Sequence, residues 1–179
     1  MEKEEYGIVI EYFPYGVPGS GKNKPVSILL VDDASDMSLL LAYPKHGVNL
    51  TQGQRVYIGS GKREEIGGII GKADLSVLSE MSAEFLKNKV NEIVSKNEEF
   101  FINVINRLGP INIRLNAFEL IPGIGKKLVE KISAERAKGP FKSFEDFNTR
   151  VGGINIKERI VERILQEFNN VDKYKLFTR

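Results

Sequence analysis

The feature that most constrains this chain is Pro122-Gly123-Ile124-Gly125, two glycines around one apolar residue, set between two apolar-patterned segments. A short helix through Phe118 is expected to end at Pro122-Gly123, and Gly125 to open a second helix running through Ile132. Both glycines tolerate positive φ and lack a Cβ, so an anion can come close to the backbone. Free N–H groups in the first turn of the second helix would point at that anion, aided by the helix dipole. Ile124 is expected to tuck into the helix pair and hold the hairpin rigid. Lys126 and Lys127 occupy a first turn where the dipole disfavours cations, which suggests an anionic partner. The plainer reading of the same residues is a tight turn between two helices that merely pack.

A second copy follows directly. Gly139–Phe147 reads as a connector in which Ser143 caps the next helix and Asp146 acts as the capping-box acceptor. That helix ends in Val151-Gly152-Gly153-Ile154-Asn155, and Ile156–Phe168 forms the last one. Here Gly152-Gly153-Ile154-Asn155 replaces Pro-Gly-Ile-Gly. Asn tolerates left-handed backbone and is a good N-cap, so the fold survives, but its side chain would stand where a phosphate would sit. Lys157 and Arg159 keep the second site basic.

Together, residues 112–168 resemble a tandem helix-hairpin-helix domain. The resemblance implies a four-helix unit with pseudo-two-fold symmetry that grips the sugar-phosphate backbone without reading sequence. Val129 stands where that family usually has Ala. The whole chain further resembles an uncharacterised archaeal family described as predicted nucleic-acid or RNA-binding proteins, and the Tyr174–Phe177 tail agrees with it. RNA is the expected ligand on that description alone, whereas backbone recognition by such hairpins is more often a property of duplex-DNA binders.

The N-terminal part has a different period. Tyr6–Phe13, Val26–Val31, Met37–Tyr43, Arg55–Ile58 and Gly67–Ile70 read as short strands between turns dense in Gly, Pro, Asn and Asp. Five short strands suggest an α+β chain opening on a small OB-like β-barrel, though an SH3-like barrel suits the pattern nearly as well. From Ser79 the period becomes helical, with Ser82 as N-cap of a helix over Ala83–Asn97 and a second helix over Glu98–Leu108. The expected division is a barrel over 1–78, connecting helices over 79–111 and the tandem hairpins with their tail over 112–179. Tyr12 and Tyr15, beside a basic loop carrying Lys22 and Lys24, are the barrel's best candidates for contacting single-stranded bases. The wider set with Phe13, Tyr43 and Tyr57 reads as packing.

Charge supports this division. Residues 1–109 carry 12 Lys and Arg against 15 Asp and Glu, whereas residues 110–179 carry 14 against 9. The absence of cysteine and a single histidine, His46, leave no thiolate or multi-imidazole metal site. No cofactor is expected. The acidic start does not read as a signal peptide, and no apolar run approaches the roughly 20 residues of a membrane span. A cytoplasmic protein is therefore expected.

Gly16–Asn23 imitates a phosphate-binding loop, but Asn23 replaces the hydroxyl that would hold magnesium, and a β-rich segment follows where a helix is required. Lys127 with Glu145 or Asp146 imitates a glycosylase pair without the helical domain that would frame a flipped base. The chain is thus expected to be a non-enzymatic nucleic-acid binder. The rival expectation is a protein-interaction adaptor in a transcription or ribosome-associated complex.

Overall fold

The computed structural model describes residues 5–169 and 173–179. Five antiparallel strands come first: β1 (Tyr6–Phe13), β2 (Val26–Val31), β3 (Leu39–Pro44), β4 (Arg55–Tyr57) and β5 (Ile66–Lys72). They form one sheet in the order β4-β1-β2-β3-β5, curled so that both faces are covered. Five helices follow: α1 (Glu80–Lys96), α2 (Glu98–Arg107), α3 (Lys126–Ala137), α4 (Phe144–Val151) and α5 (Ile156–Phe168). None of the helices among the described residues is long and apolar enough to cross a membrane.

Strict alternation in β2 explains the two covered faces. Leu29 and Val31 point into an inner cluster with Ala42, Leu50, Val56, Ile58 and Ile66. Ile28 and Leu30 point the other way, into a larger cluster with Leu86 and Val90 of α1, which continues through α2–α5 to Phe177. One buried apolar cluster therefore includes both sheet and helices.

Alternation in β1 is broken on purpose. The pairing with β2 slips between Val9 and Glu11, so Ile10 is an extra residue, a β-bulge. The slip places Val9 and Tyr12, three residues apart, on the inner face, and Ile10 and Phe13 on the helical face. The carbonyl of Ile10, freed from the ladder, accepts from Gln52 Nε2 at 2.9 Å. The same amide donates to Ser82 Oγ at 3.1 Å, tying the bulge to α1.

Ser82 is not the cap of α1. It is buried inside the first turn, and Ser79 caps the helix by accepting from the Ser82 N–H at 3.2 Å. Glu11 accepts from the Ser79 N–H, so a sheet residue also supports the helix start. The end of α2 is held by Arg136, which donates to the carbonyls of Ile105 and Leu108.

The helical half is locked by an ion pair buried on both sides. Arg163 and Glu167 of α5 are each 2% exposed and meet at 3.0 Å. Glu167 also accepts from the backbone N–H groups of Leu176, Phe177 and Thr178 and from the Thr178 hydroxyl. Arg163 donates to the carbonyls of Leu120 and Tyr174. The tail is thereby pinned across α5, and its Arg179 N–H reaches the Met37 carbonyl beside the sheet.

Candidate nucleic-acid interface

Two turn-helix units stand one after the other in the helical half. The first begins with a 3-10 turn at Ala117–Leu120, not a full α-helix, held by reciprocal bonds between Asn116 and Glu119. These bonds and the Lys126 ammonium hold the Glu119 carboxyl below its ordinary pKa, the Asn116 N–H contributing most. The chain then turns at Gly123, whose φ of +82° is in the left-handed region that favours glycine. Ile124 is buried, as the sequence reading required, and anchors the turn in the shared core.

Gly125 does not use the positive φ that glycine tolerates. As N-cap of α3 its φ is −103° and ψ −175°, extended backbone open to any residue. A Cβ added there would meet nothing within 4 Å. Neither geometry nor packing demands glycine at this position. Its effect is to leave the start of α3 without a capping side chain. By contrast, Ser79, Ser143 and Asn155 each cap their helices.

The two lysines of the first turn divide their tasks. Lys126 folds back to Glu119 at 3.3 Å and to the Arg114 carbonyl, so its charge is partly spent on the turn. Lys127 is exposed and has no partner among the described residues. The first site therefore consists of a bare helix start, a left-handed Gly123 and one unengaged cation.

The second unit is closed off in two ways. Gly153 has a φ of +71° and is exposed, matching its counterpart Gly123. Asn155, however, turns its side-chain oxygen onto the Glu158 N–H and caps α5 itself. Asn155 and Lys157 also line a polar cleft with the carboxylates of Glu98 and Glu145. Ser143 caps α4 as expected, but Asp146 accepts from the Lys142 N–H instead of the Ser143 N–H. That bond, with the Arg150 guanidinium, holds the Asp146 carboxyl below its ordinary pKa.

Arg159 is the clearest relocation. It is in the second unit by sequence, yet a Cβ built on Gly123 would lie 3.2 Å from its guanidinium carbon. Its charge, shared with Glu162 at 3.2 Å, thus serves the first turn. Lys131 of α3 reaches in the opposite sense, its ammonium 3.5 Å from a Cβ built on Gly152. Helix-to-opposite-turn contacts of this kind join residues far apart in sequence, so only the three-dimensional packing reveals them.

On the sheet side, Lys22 and Lys24 are exposed in the β1–β2 loop, which leads into strand β2 and not into a helix. Phe13 is core, and Tyr57 packs edge-on against Tyr6. Tyr12 is half-buried and donates to Asn49 at 3.4 Å. Tyr15 and Tyr43 are the exposed aromatics, at 83% and 46%. Sequence reasoning grouped Tyr43 with packing residues, because the glycines it covers lie on a distant strand. No cluster of three or more metal-ligating side chains occurs among the described residues.

The chain matches, over residues 3–179, a family model described as "Protein of unknown function (DUF655)". It is 36% identical over 179 residues to the uncharacterized protein MJ0038 of Methanocaldococcus jannaschii, covering 98% of this chain and 80% of that protein. Its fold is similar to the crystal structure of Af1531 from Archaeoglobus fulgidus, assigned to the same family. There the TM-score is 0.78 at 32% identity, covering 98% of this chain and all of the other.

Proposed function

The chain belongs to the DUF655 family, and we propose that it is a non-enzymatic, cytoplasmic nucleic-acid-binding protein that grips the phosphate backbone through the turn before α3. In this reading the two turn-helix units form a tandem helix-hairpin-helix domain. The sheet is an OB-like barrel left open between β4 and β5. RNA is the proposed ligand, with duplex DNA as the second choice.

The observation that carries the proposal is Gly125. A capping side chain at this position would strengthen α3, and the fold leaves room for one. Its omission exposes the backbone N–H groups at the positive end of the helix dipole, beside Lys127 and near Arg159. That is the chemistry of a phosphate seat. The second unit, self-capped by Asn155 and flanked by Glu98 and Glu145, contributes position more than affinity.

Fluorescence anisotropy on duplex RNA, structured RNA and duplex DNA at several salt concentrations tests the proposal. Affinity should fall with log[salt] by a slope of roughly 0.9 per phosphate contacted on B-form duplex. Lys126→Glu/Lys127→Glu should abolish binding while the far-UV circular dichroism stays native. Unchanged binding in the double variant would sink the proposal. Wild-type protein that binds none of these ligands would favour the adaptor reading, for which the closed second unit and the net acidic residues 1–109 are the supporting observations.

A further inference from the structure

A second surface gathers on the sheet, away from any glycine turn of the helical half. The end of β1, the β1–β2 loop and the β3–β4 turn enclose an open basin of about 940 Å³. Its wall includes the rings of Tyr12, Tyr15 and Tyr43 with three prolines. Lys24, Lys45 and His46 add its basic groups, Val48 and Asn49 lie beside them, and no carboxylate is among the lining residues. Lys45 also donates to the Arg63 carbonyl, which fixes its stem along the rim.

Tyr43 is held there by a device of the sheet. It pairs across the strands with Gly68. A Cβ on Gly67 would lie 2.5 Å from its ring edge, and one on Gly68 2.6 Å from its hydroxyl. Two adjacent glycines thus clear a bed on β5 on which the ring rests. A half-exposed aromatic held against backbone is a preformed stacking platform, with little side-chain freedom left to lose. Tyr12 reaches the same basin because the bulge at Ile10 turns it to the inner face. Tyr15 stands free at the mouth.

We propose that this basin binds unpaired bases of a single-stranded nucleic acid, which stack on Tyr15 and Tyr43 while their phosphates meet Lys24, Lys45 and His46. Stacking on aromatic faces combined with a basic track is how single strands are held without sequence readout. A proline-rich peptide would also suit an aromatic groove. Lysine ammoniums with no carboxylate beside them in the lining favour the polyanion. The inference extends the nucleic-acid reading, but it rests on residues separate from the α3 turn.

The test uses the full chain and tyrosine fluorescence, which no tryptophan masks, since the chain has six tyrosines and no tryptophan. The probe is a twelve-nucleotide oligothymidylate, with a proline-rich decapeptide and a duplex of the same length as comparisons. Oligothymidylate should quench the emission and bind. Tyr15→Leu/Tyr43→Leu should weaken that binding by roughly 5- to 150-fold for each ring removed, the range expected for losing stacking on one base. Tyr15→Phe/Tyr43→Phe should restore it, and Tyr15→Leu alone, at an exposed position, guards against misfolding of the pair. Gly125→Asp should leave single-strand binding intact while duplex binding falls. Single-strand binding that ignores the leucine variants, or that is lost with Gly125→Asp, overturns the basin and leaves the α3 turn standing. So does quenching by the peptide with none by the oligonucleotide.

Discussion

Replacing Gly125 with aspartate should make the protein more stable and its duplex binding much weaker. The backbone there is already extended, and a Cβ meets no atom within 4 Å, so the substitution introduces no strain. Aspartate would accept from the N–H three residues on, as Ser143 does from Asp146. Cap replacement of glycine contributes a few tenths of a kcal/mol. The negative charge at the start of α3 adds about 0.3–1 kcal/mol. Loss of glycine's freedom in the unfolded chain adds about 0.4–1 kcal/mol. A net gain of about 1 kcal/mol would raise Tm by about 2–4 °C for a chain of this size. The same carboxylate would stand where a bound phosphate is proposed to sit. Two like charges about 4 Å apart repel by up to about 4 kcal/mol near a protein surface, which is enough to lower affinity a hundredfold or more. Thermal melts followed by circular dichroism, run beside anisotropy on a duplex, read both effects. A fall in Tm of several degrees would mean that Gly125 serves packing. A higher Tm with unchanged binding would mean that no anion sits at this helix start.

Three further outcomes follow from the described geometry. Glu167→Gln removes the charge facing buried Arg163 and sets an amide against backbone donors; it should cost about 3–5 kcal/mol by urea denaturation. Gly16→Ala should unsettle the β1–β2 loop, because φ is +84° and the new Cβ would lie 2.1 Å from the Lys22 carbonyl oxygen. A loss of more than about 1 kcal/mol is expected, and single-strand binding should weaken with it. The third concerns acid. Glu119, Glu135 and Asp146 all titrate below their ordinary values of 4.5, 4.5 and 3.8, Glu135 through Lys138 first and then Arg150. Groups with depressed folded pKa stabilise fully above the unfolded value and lose that stabilisation as pH falls through the folded one. Their contribution should therefore be flat from neutral pH down to about 5 and decline below about 4.5; urea midpoints measured from pH 7 to 3 check this window.

Much of the fold was legible because its signals are local. Runs rich in β-branched and aromatic residues between turn signals place β1 and β2 at Tyr6–Phe13 and Val26–Val31, the expected bounds, and α5 lies at Ile156–Phe168 as expected. Ser82 misled because Ser79, three residues earlier, offers an equally good hydroxyl, and only tertiary burial of Ser82 by Gln52 decides between them. At Gly125 the tolerance of positive φ goes unused, and what matters is the missing side chain, the other half of what a glycine there implies. Arg159 beside Gly123, and Tyr43 over Gly67 and Gly68, join segments whose pairing no local period encodes. The four-residue spacing of Arg163 and Glu167 is the one solvated charge pairs use on a helix, so the sequence does not mark the pair as buried. It became buried because the tail returns across α5.

The bulge at Ile10 works within β1 as a frameshift works within a message. Upstream of it, odd-numbered residues face the sheet's interior; downstream, even-numbered ones do. Deleting that single residue would make Val9 and Glu11 consecutive partners of Leu29 and Ile28 and leave Tyr12 and Phe13 facing as they do, whereas straightening the strand at full length would send the tyrosine toward the helices and the phenylalanine to the basin. Among relatives, a strand one residue shorter here should therefore keep its inward aromatic, now two residues beyond the counterpart of Val9, a pattern that a comparison of aligned strands can reveal without any binding measurement.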